Sequence, residues 1–307
     1  MRFNPRARVD QSQIDNRGGD GGGLGGGGRM QLPIPAGGGG KIGLGTVVII
    51  ILFVVITQCT GPGGSPSGSA GGTGQGSVND ACQTGADANS STSCEIDLVT
   101  NSVQAYWKKA LPKQTGTPYK VTKTVKFSGQ TSSACGTAAS QMGPFYCPND
   151  ERVYLDSTFF KDMLQGQLHA KGGPFAVAYV IAHEYGHHVE DQVGILAQMK
   201  TQQGPASDSV KAELMADCLA GSWAKNALTT TDASGQPIIS DLTQDDVRRA
   251  IDAAQAVGDD RIQKQSQGRV NPESFTHGTS AQRESWFNIG RSRGTIAACN
   301  TFKAPSL

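Results

Sequence analysis

The sequence predicts an α+β fold, in which a small, mostly antiparallel sheet lies beside a helical lobe and one transmembrane helix precedes both. Several segments after residue 81 repeat apolar residues at the spacing of an amphipathic helix. Others are short and alternate apolar with polar residues, as half-exposed strands do. The predicted transmembrane helix rests on residues 42–57, which are uncharged and strongly apolar.

Composition divides the chain into four regions. Residues 1–41 and 60–80 are rich in Gly, Ser and Pro and poor in apolar residues, which predicts a disordered tail and a flexible linker. Residues 42–59 are predicted to be a membrane anchor, although their apolar run is slightly shorter than the roughly 20 residues of a spanning helix. Residues 81–307 are long enough to form one domain with a substantial core.

The basic residues predict the orientation of this anchor. They precede the apolar run, whereas the stretch from there to Asp80 is uncharged. The positive-inside rule therefore places the tail in the cytoplasm and residues 81–307 outside, as in a single-pass membrane protein. A cleaved signal peptide is the alternative, but the tail is long for its basic region and no Ala-x-Ala site follows closely. The net charge of +1 gives no argument for a nucleic-acid partner.

Periodicity places the elements of residues 81–307 in order. Residues 95–110 carry apolar side chains on one stripe of a helix, and 119–127 alternate as a strand does. Residues 145–147 and 153–155 are predicted to be short strands joined by a turn. The helices that follow are predicted over 157–167, from Pro174 onwards, over 206–227, from Thr243 onwards and over 279–293.

The helix that begins at Pro174 contains the sequence His183-Glu-Tyr-Gly-His187. Positions four apart share one face of a helix, so both imidazoles can bind one metal ion, and this spacing is typical of zinc peptidases. Glu184, beside the first ligand, can take a proton from a metal-activated water. The alternative is a structural metal site without turnover.

The third ligand distinguishes classes of zinc peptidase. The metzincin pattern requires Gly and His at two later positions, where this chain has Glu190 and Val193. We therefore expect a carboxylate from the helix over 206–227, in which Glu213 and Asp217 are four residues apart. Glu213 would bind the metal, and Asp217 would orient a ligating histidine through its other ring nitrogen. A solvated helix face is the alternative, but the neighbouring residues are too apolar to favour it.

The cysteines indicate an oxidising compartment. Apart from Cys59, in or near the predicted anchor, six cysteines remain, and an even number in an exported domain predicts three disulfides among fifteen possible pairings. Proximity in sequence favours Cys82–Cys94 and Cys135–Cys147, which leaves Cys218–Cys299. A thiolate zinc site is disfavoured because the chain has no Cys-x-x-Cys pair.

Taken together, these motifs resemble those of the bacterial putative neutral zinc metallopeptidase family, whose members are membrane-anchored. The resemblance covers roughly residues 80–303 and the anchor. The segments that carry it are Cys135-Gly, Gly143-Pro-Phe-Tyr-Cys-Pro-Asn-Asp, Val153-Tyr-Leu-Asp, the His183 motif, Glu213-Leu-Met-Ala-Asp-Cys and Ser274-Phe-Thr-His-Gly-Thr. It implies one zinc ion, a zincin-like fold and hydrolysis of peptide bonds in a peptide or protein substrate.

The resemblance also suggests His277, in a loop between two helices, as the second donor to the oxyanion that forms during hydrolysis. Arg283 and Arg291 are alternative donors. Two other functions stay open at this point: a catalytically silent, metal-stabilised scaffold of the cell envelope, and a zinc amidase that acts on a cell-wall amide. The intact Glu184 favours an active enzyme over the scaffold.

Overall fold

A computed structural model describes residues 1–17 and 81–307 of the chain. The predicted anchor at 42–59, the linker at 60–80 and residues 18–41 of the predicted tail lie outside these residues. Within the two described ranges, no helix combines the length and the apolar character that crossing a bilayer requires.

The described residues form an α+β structure, as predicted. Its strands are β1 (Arg2–Phe3), β2 (Ile14–Arg17), β3 (Thr124–Phe127), β4 (Gln130–Ser133), β5 (Gly136–Ala139), β6 (Phe145–Cys147), β7 (Arg152–Asp156) and β8 (Ile239–Asp241). Its α-helices are α1 (Gly85–Ala88), α2 (Thr92–Thr115), α3 (Pro174–Gln192), α4 (Asp208–Asn226), α5 (Gln244–Ala256), α6 (Asp259–Gln267) and α7 (Ser280–Arg293). The short helix predicted before α3 is a π-helix (Phe160–Gln167).

The first seventeen residues are ordered parts of this fold, so the prediction of a disordered tail is wrong for them. β1 pairs with β8, and β2 joins the main sheet. Phe3 and Ile14 are buried among the core residues. The glycine-rich stretch that begins at residue 18 dominates the composition of the predicted tail, and it outweighed the few apolar residues before it.

The main sheet has four strands in the order β2-β3-β7-β6. β3 runs parallel to both β2 and β7, and only β6 and β7 pair antiparallel. The prediction of a mostly antiparallel sheet is therefore wrong here, although the two-stranded sheets β1-β8 and β4-β5 are antiparallel. Alternation of side chains indicates a strand but carries no information about the direction of its partner.

The helical lobe is built around α3, which packs against α2, α4 and α5. Next to it, α4 and α7 cross with their backbones in contact. A β-carbon on Gly290 would lie 1.8 Å from the carbonyl oxygen of Cys218, and one on Gly221 would lie 2.1 Å from that of Phe287. The helices α4 and α7 can therefore approach this closely only because these two residues have no side chain.

The three predicted disulfides are confirmed. Cys82–Cys94 and Cys135–Cys147 each close a short loop, with Cα atoms 5.0 Å and 5.8 Å apart. Cys218–Cys299, with Cα atoms 5.3 Å apart, joins α4 to the C-terminal segment. This third disulfide therefore restrains the helix that carries Glu213.

Candidate metal centre

The motif histidines lie one turn apart on α3, with their ring centroids 4.8 Å apart. Pro174 occupies the start of the helix, where its missing N–H removes no intrahelical hydrogen bond. From there to Tyr185 the side chains are buried almost without exception. The imidazoles are thus carried by a rigid element inside the helical lobe, and not by a surface loop.

The predicted carboxylates lie on α4. The hydroxyl of Ser207 caps this helix by accepting a hydrogen bond from the backbone N–H of Val210, 3.2 Å away. The helices α3 and α4 approach closely because the motif contains a glycine: a β-carbon on Gly186 would lie 2.8 Å from the Cα of Ala216. This close approach brings Glu213 within reach of both motif histidines.

Three potential ligand atoms converge at this crossing. Nε2 of His183 lies 3.2 Å from one carboxylate oxygen of Glu213, and Nε2 of His187 lies 3.4 Å from the other. The ligand atoms of the three residues all lie within 4.8 Å of one another. Two imidazole nitrogens and one carboxylate oxygen are a donor set of catalytic zinc sites, which keep a fourth position open. The residues present therefore fit a zinc ion.

The Nδ1 atom of each imidazole, which faces away from Glu213, lies next to a buried carboxylate. Nδ1 of His183 lies 2.9 Å from Asp217, as expected from the sequence, and Nδ1 of His187 lies 2.9 Å from Glu190. The metzincin pattern, which fails at Glu190, did not predict this contact. The spacing of Glu190, three residues from His187, places it on the same helix face, and this signal could have identified it.

Arg283, on α7, forms an ion pair with Asp217. Its Nε and Nη2 donate to the two carboxylate oxygens over 2.8 Å and 3.0 Å, and Nη2 also donates to the hydroxyl of Tyr179 over 3.3 Å. Because this side chain is buried and its donors are engaged, the structure does not support Arg283 as a free oxyanion donor. Arg291 hydrogen-bonds to Asn288 on the same helix.

His277 lies in the loop that connects α6 to α7, and Asp259 organises this loop. One oxygen of Asp259 accepts backbone N–H groups from residues 276, 277 and 278 over 2.7, 2.6 and 3.0 Å. The other oxygen lies 3.3 Å from Nδ1 of His277. Gly278 packs beside α4, since a β-carbon there would lie 3.3 Å from Leu214 and Val210. The loop therefore lies close to the part of α4 that carries Glu213.

The electrostatics of the centre favour positive charge between its side chains. Burial opposes protonation of His183, but Asp217 and Glu213 outweigh it and raise the pKa of this imidazole to about 9. Burial also opposes ionisation of Glu213, yet His277, His183 and His187 hold the pKa of its carboxyl well below its usual range. A field that favours protons on the imidazoles also favours a metal cation among them.

Comparison with known proteins agrees with this geometry. The sequence profile described as putative neutral zinc metallopeptidase matches residues 1–302. The uncharacterized protein Rv2575 of Mycobacterium tuberculosis is 46% identical over 228 residues, which cover 74% of this chain and 76% of that protein. The uncharacterized protein YpfJ of Escherichia coli is 44% identical over 211 residues, 67% of this chain and 69% of its own length. No solved structure matches the chain.

Proposed function

We propose that this chain, which belongs to the putative neutral zinc metallopeptidase family, hydrolyses peptide bonds with one zinc ion held by His183, His187 and Glu213. The observation that carries the proposal is the convergence of their three ligand atoms within 4.8 Å. Zinc bound there would supply Lewis acidity, which acidifies a water molecule and polarises the scissile carbonyl. Asp217 and Glu190 would keep the two imidazoles in the ligating orientation.

Glu184 is the proposed general base. It follows His183 on α3, and its side chain is buried. Burial raises the pKa of its carboxyl above the usual value, and the two motif histidines offset part of this effect. A carboxyl with a raised pKa is better matched to proton transfer near neutral pH. Glu184 would accept the proton of the attacking water and return it to the leaving amine.

His277 is the proposed donor to the carbonyl oxygen as negative charge develops on it. A fixed donor aimed at that charge stabilises the transition state more than a mobile one, because it does not have to reorganise during the reaction. Asp259 supplies this rigidity through the backbone of the loop and through Nδ1 of the imidazole. Gly278, the next residue, packs against Val210 and Leu214 of α4, and this contact supports the proximity of His277 to Glu213.

The substrate class and the architecture are part of the same proposal. Two buried helices that contribute His-His and Glu ligands suggest a zincin-like arrangement, and an endopeptidase acting on peptides or proteins is the function we favour. The three disulfides support an exported enzyme, because such bonds persist in oxidising compartments.

The test compares the full chain with its Glu184→Gln variant, both produced under oxidising conditions with zinc. The full chain is used because residues 1–17 are part of the fold. Each protein is incubated with an unbiased peptide mixture, the products are identified by mass spectrometry, and zinc content is measured in parallel. We expect cleavage by the wild type and its loss in Glu184→Gln, with one zinc ion in each.

Three results would count against the proposal in different ways. Equal cleavage by both proteins would show that Glu184 is not the base or that a contaminant is active. Absence of cleavage by either zinc-loaded protein would refute a general peptidase, and hydrolysis of cell-wall amides by the wild type would then identify an amidase. A chain that retains zinc and hydrolyses neither substrate would be a scaffold.

A further inference from the structure

The domain holds the backbone of residues 1–17, which contains two strands and a short 3-10 helix (Gln11–Gln13), through hydrogen bonds from its own side chains. The amide of Asn89 accepts from the backbone N–H of Phe3 over 2.9 Å and donates to its carbonyl over 3.0 Å. Asn101 makes the same two bonds to Asp10, over 2.8 Å and 3.1 Å. Paired hydrogen bonds of this kind satisfy the peptide groups of a segment irrespective of its side chains. Two separate parts of the domain thus engage the segment.

The domain is also shaped around this segment. Ala7 is completely buried, and Phe3 is only 2% exposed. Gly85 leaves room for the passing chain, because a β-carbon there would lie 2.0 Å from the carbonyl oxygen of Asn4. Its own N–H donates to the carbonyl of Ala7 over 2.9 Å. Close approach of two backbones at a glycine, beside buried apolar side chains, is typical of the interior of one folded unit.

The segment further supports the helix that carries the motif. β2 pairs along its whole length with β3, from Ile14 opposite Thr124 to Arg17 opposite Phe127. The hydroxyl of Thr124 lies 3.0 Å from that of Tyr185, which projects from α3 two residues before His187. The N-terminal strand is therefore connected, through β3, to the metal centre.

These contacts have a topological consequence. A single crossing of a bilayer between Arg17 and Ala81 would place the two described ranges on opposite faces, where none of the contacts could form. Arg17, which the positive-inside rule counts as cytoplasmic, instead donates to the carbonyl of Ser132 over 2.9 Å and to the carboxylate of Asp15. The family match also includes this segment, since it begins at residue 1.

The disulfides identify the compartment. Gln11 donates to the carbonyl of Cys82 over 2.8 Å, so the segment lies directly against the Cys82–Cys94 bridge. We infer that residues 1–17 lie on the same side of the membrane as residues 81–307, in the oxidising compartment, and form a structural part of the metal-binding domain. This replaces the expectation that the N-terminus is cytoplasmic, and it is independent of whether the centre hydrolyses peptides.

A disulfide between β1 and β8 tests this inference in cells. Arg2 and Asp241 are exposed and are partners in the antiparallel pairing of β1 with β8, next to a register shift between Arg2 and Phe3. Partners in antiparallel strands typically have Cα atoms about 4.5–5.5 Å apart, a separation that permits a disulfide. The full chain with Arg2→Cys and Asp241→Cys is produced in bacteria, with Cys59, the one of the seven cysteines that is outside the three disulfides, also changed to serine. Thiols are blocked before lysis, and the linked peptides are identified by non-reducing gel and mass spectrometry.

We expect most of the double variant to carry the new intramolecular link, and reduction to abolish its shift in mobility. The matched control is Arg6→Cys with Asp241→Cys. It also places one cysteine on each of the two segments, but the two are not strand partners, so far less of this variant should become linked. In a second measurement on spheroplasts, a membrane-impermeant maleimide should label the single variants Arg2→Cys and Asp241→Cys equally. Labelling of Asp241→Cys alone, with no link in the double variant, would overturn the inference.

Discussion

Replacing Glu95 with glutamine should remove a pH-dependent loss of stability. Glu95 lies in the first turn of α2, is only 6% exposed, and its Oε1 has no hydrogen-bond partner among the described residues. Burial raises the pKa of its carboxyl from 4.5 to about 8, and the nearby N-terminal amino group offsets only part of this. Between these two values the folded chain holds a proton that the unfolded chain has lost, so stability falls as the pH rises through this range.

The size of the effect follows from the same values. At about 1.4 kcal/mol for each pKa unit, the shift corresponds to a loss of at most about 5 kcal/mol between mildly acidic and mildly alkaline pH. Glutamine has nearly the same shape and no titratable proton, so Glu95→Gln should show no such loss. We expect the variant to exceed the wild type in stability by several kcal/mol near pH 9, and to differ little near pH 5.

Denaturant titrations with the disulfides intact would measure this difference at about pH 5, 7 and 9. Other titrating groups are common to both proteins and cancel in the comparison. Glu273→Gln, a change of the same type at an exposed position, is the control and should leave the pH profile unchanged. A gap between Glu95→Gln and the wild type that stays constant across this pH range would refute the reasoning.

Three further changes test the site and its support. Glu190→Ala should weaken zinc binding about 10- to 100-fold in chelator competition, because His187 loses the carboxylate that orients it. Glu190→Gln keeps an acceptor and should lose less, so equal losses would contradict an orienting role. His277→Ala should lower kcat about 10²- to 10³-fold at unchanged zinc content, and an unaltered kcat would exclude it as a donor. Cys218→Ser with Cys299→Ser should lower the free energy of unfolding by about 2–5 kcal/mol in urea; no measurable loss would show that helix packing alone holds α4.

Local sequence patterns predicted correctly the contacts that depend on the spacing of residues within one segment. Positions four apart on one helix identified both His183 with His187 and Glu213 with Asp217, and the structure brings all four together. The disulfides followed from an even number of cysteines and from the short separation of two pairs. Spacing of this kind specifies which side chains share a helix face, whatever the rest of the chain does.

Contacts between distant segments could not be predicted in the same way. β2 pairs with β3 across more than one hundred residues, and no periodicity in either strand specifies its partner. Asp259 and Arg283 are ordinary charged residues on amphipathic helices in the sequence. Only the packing of α6 and α7 turns one towards the His277 loop and the other towards Asp217. The roles of Asp259 and Arg283, which depend on tertiary contacts, therefore could not be predicted from the sequence pattern.

The arrangement of charges favours a cation between His183, His187 and Glu213. Arg283 forms a bidentate, buried pair with Asp217 and so neutralises the carboxylate behind His183. Glu213 then stays ionised among the imidazoles, with the pKa of its carboxyl held well below its usual range. A buried carboxylate of this kind is costly unless positive charge lies beside it. A zinc ion bound between the ligand atoms of His183, His187 and Glu213, which lie within 4.8 Å of one another, would supply this positive charge and gain three ligands.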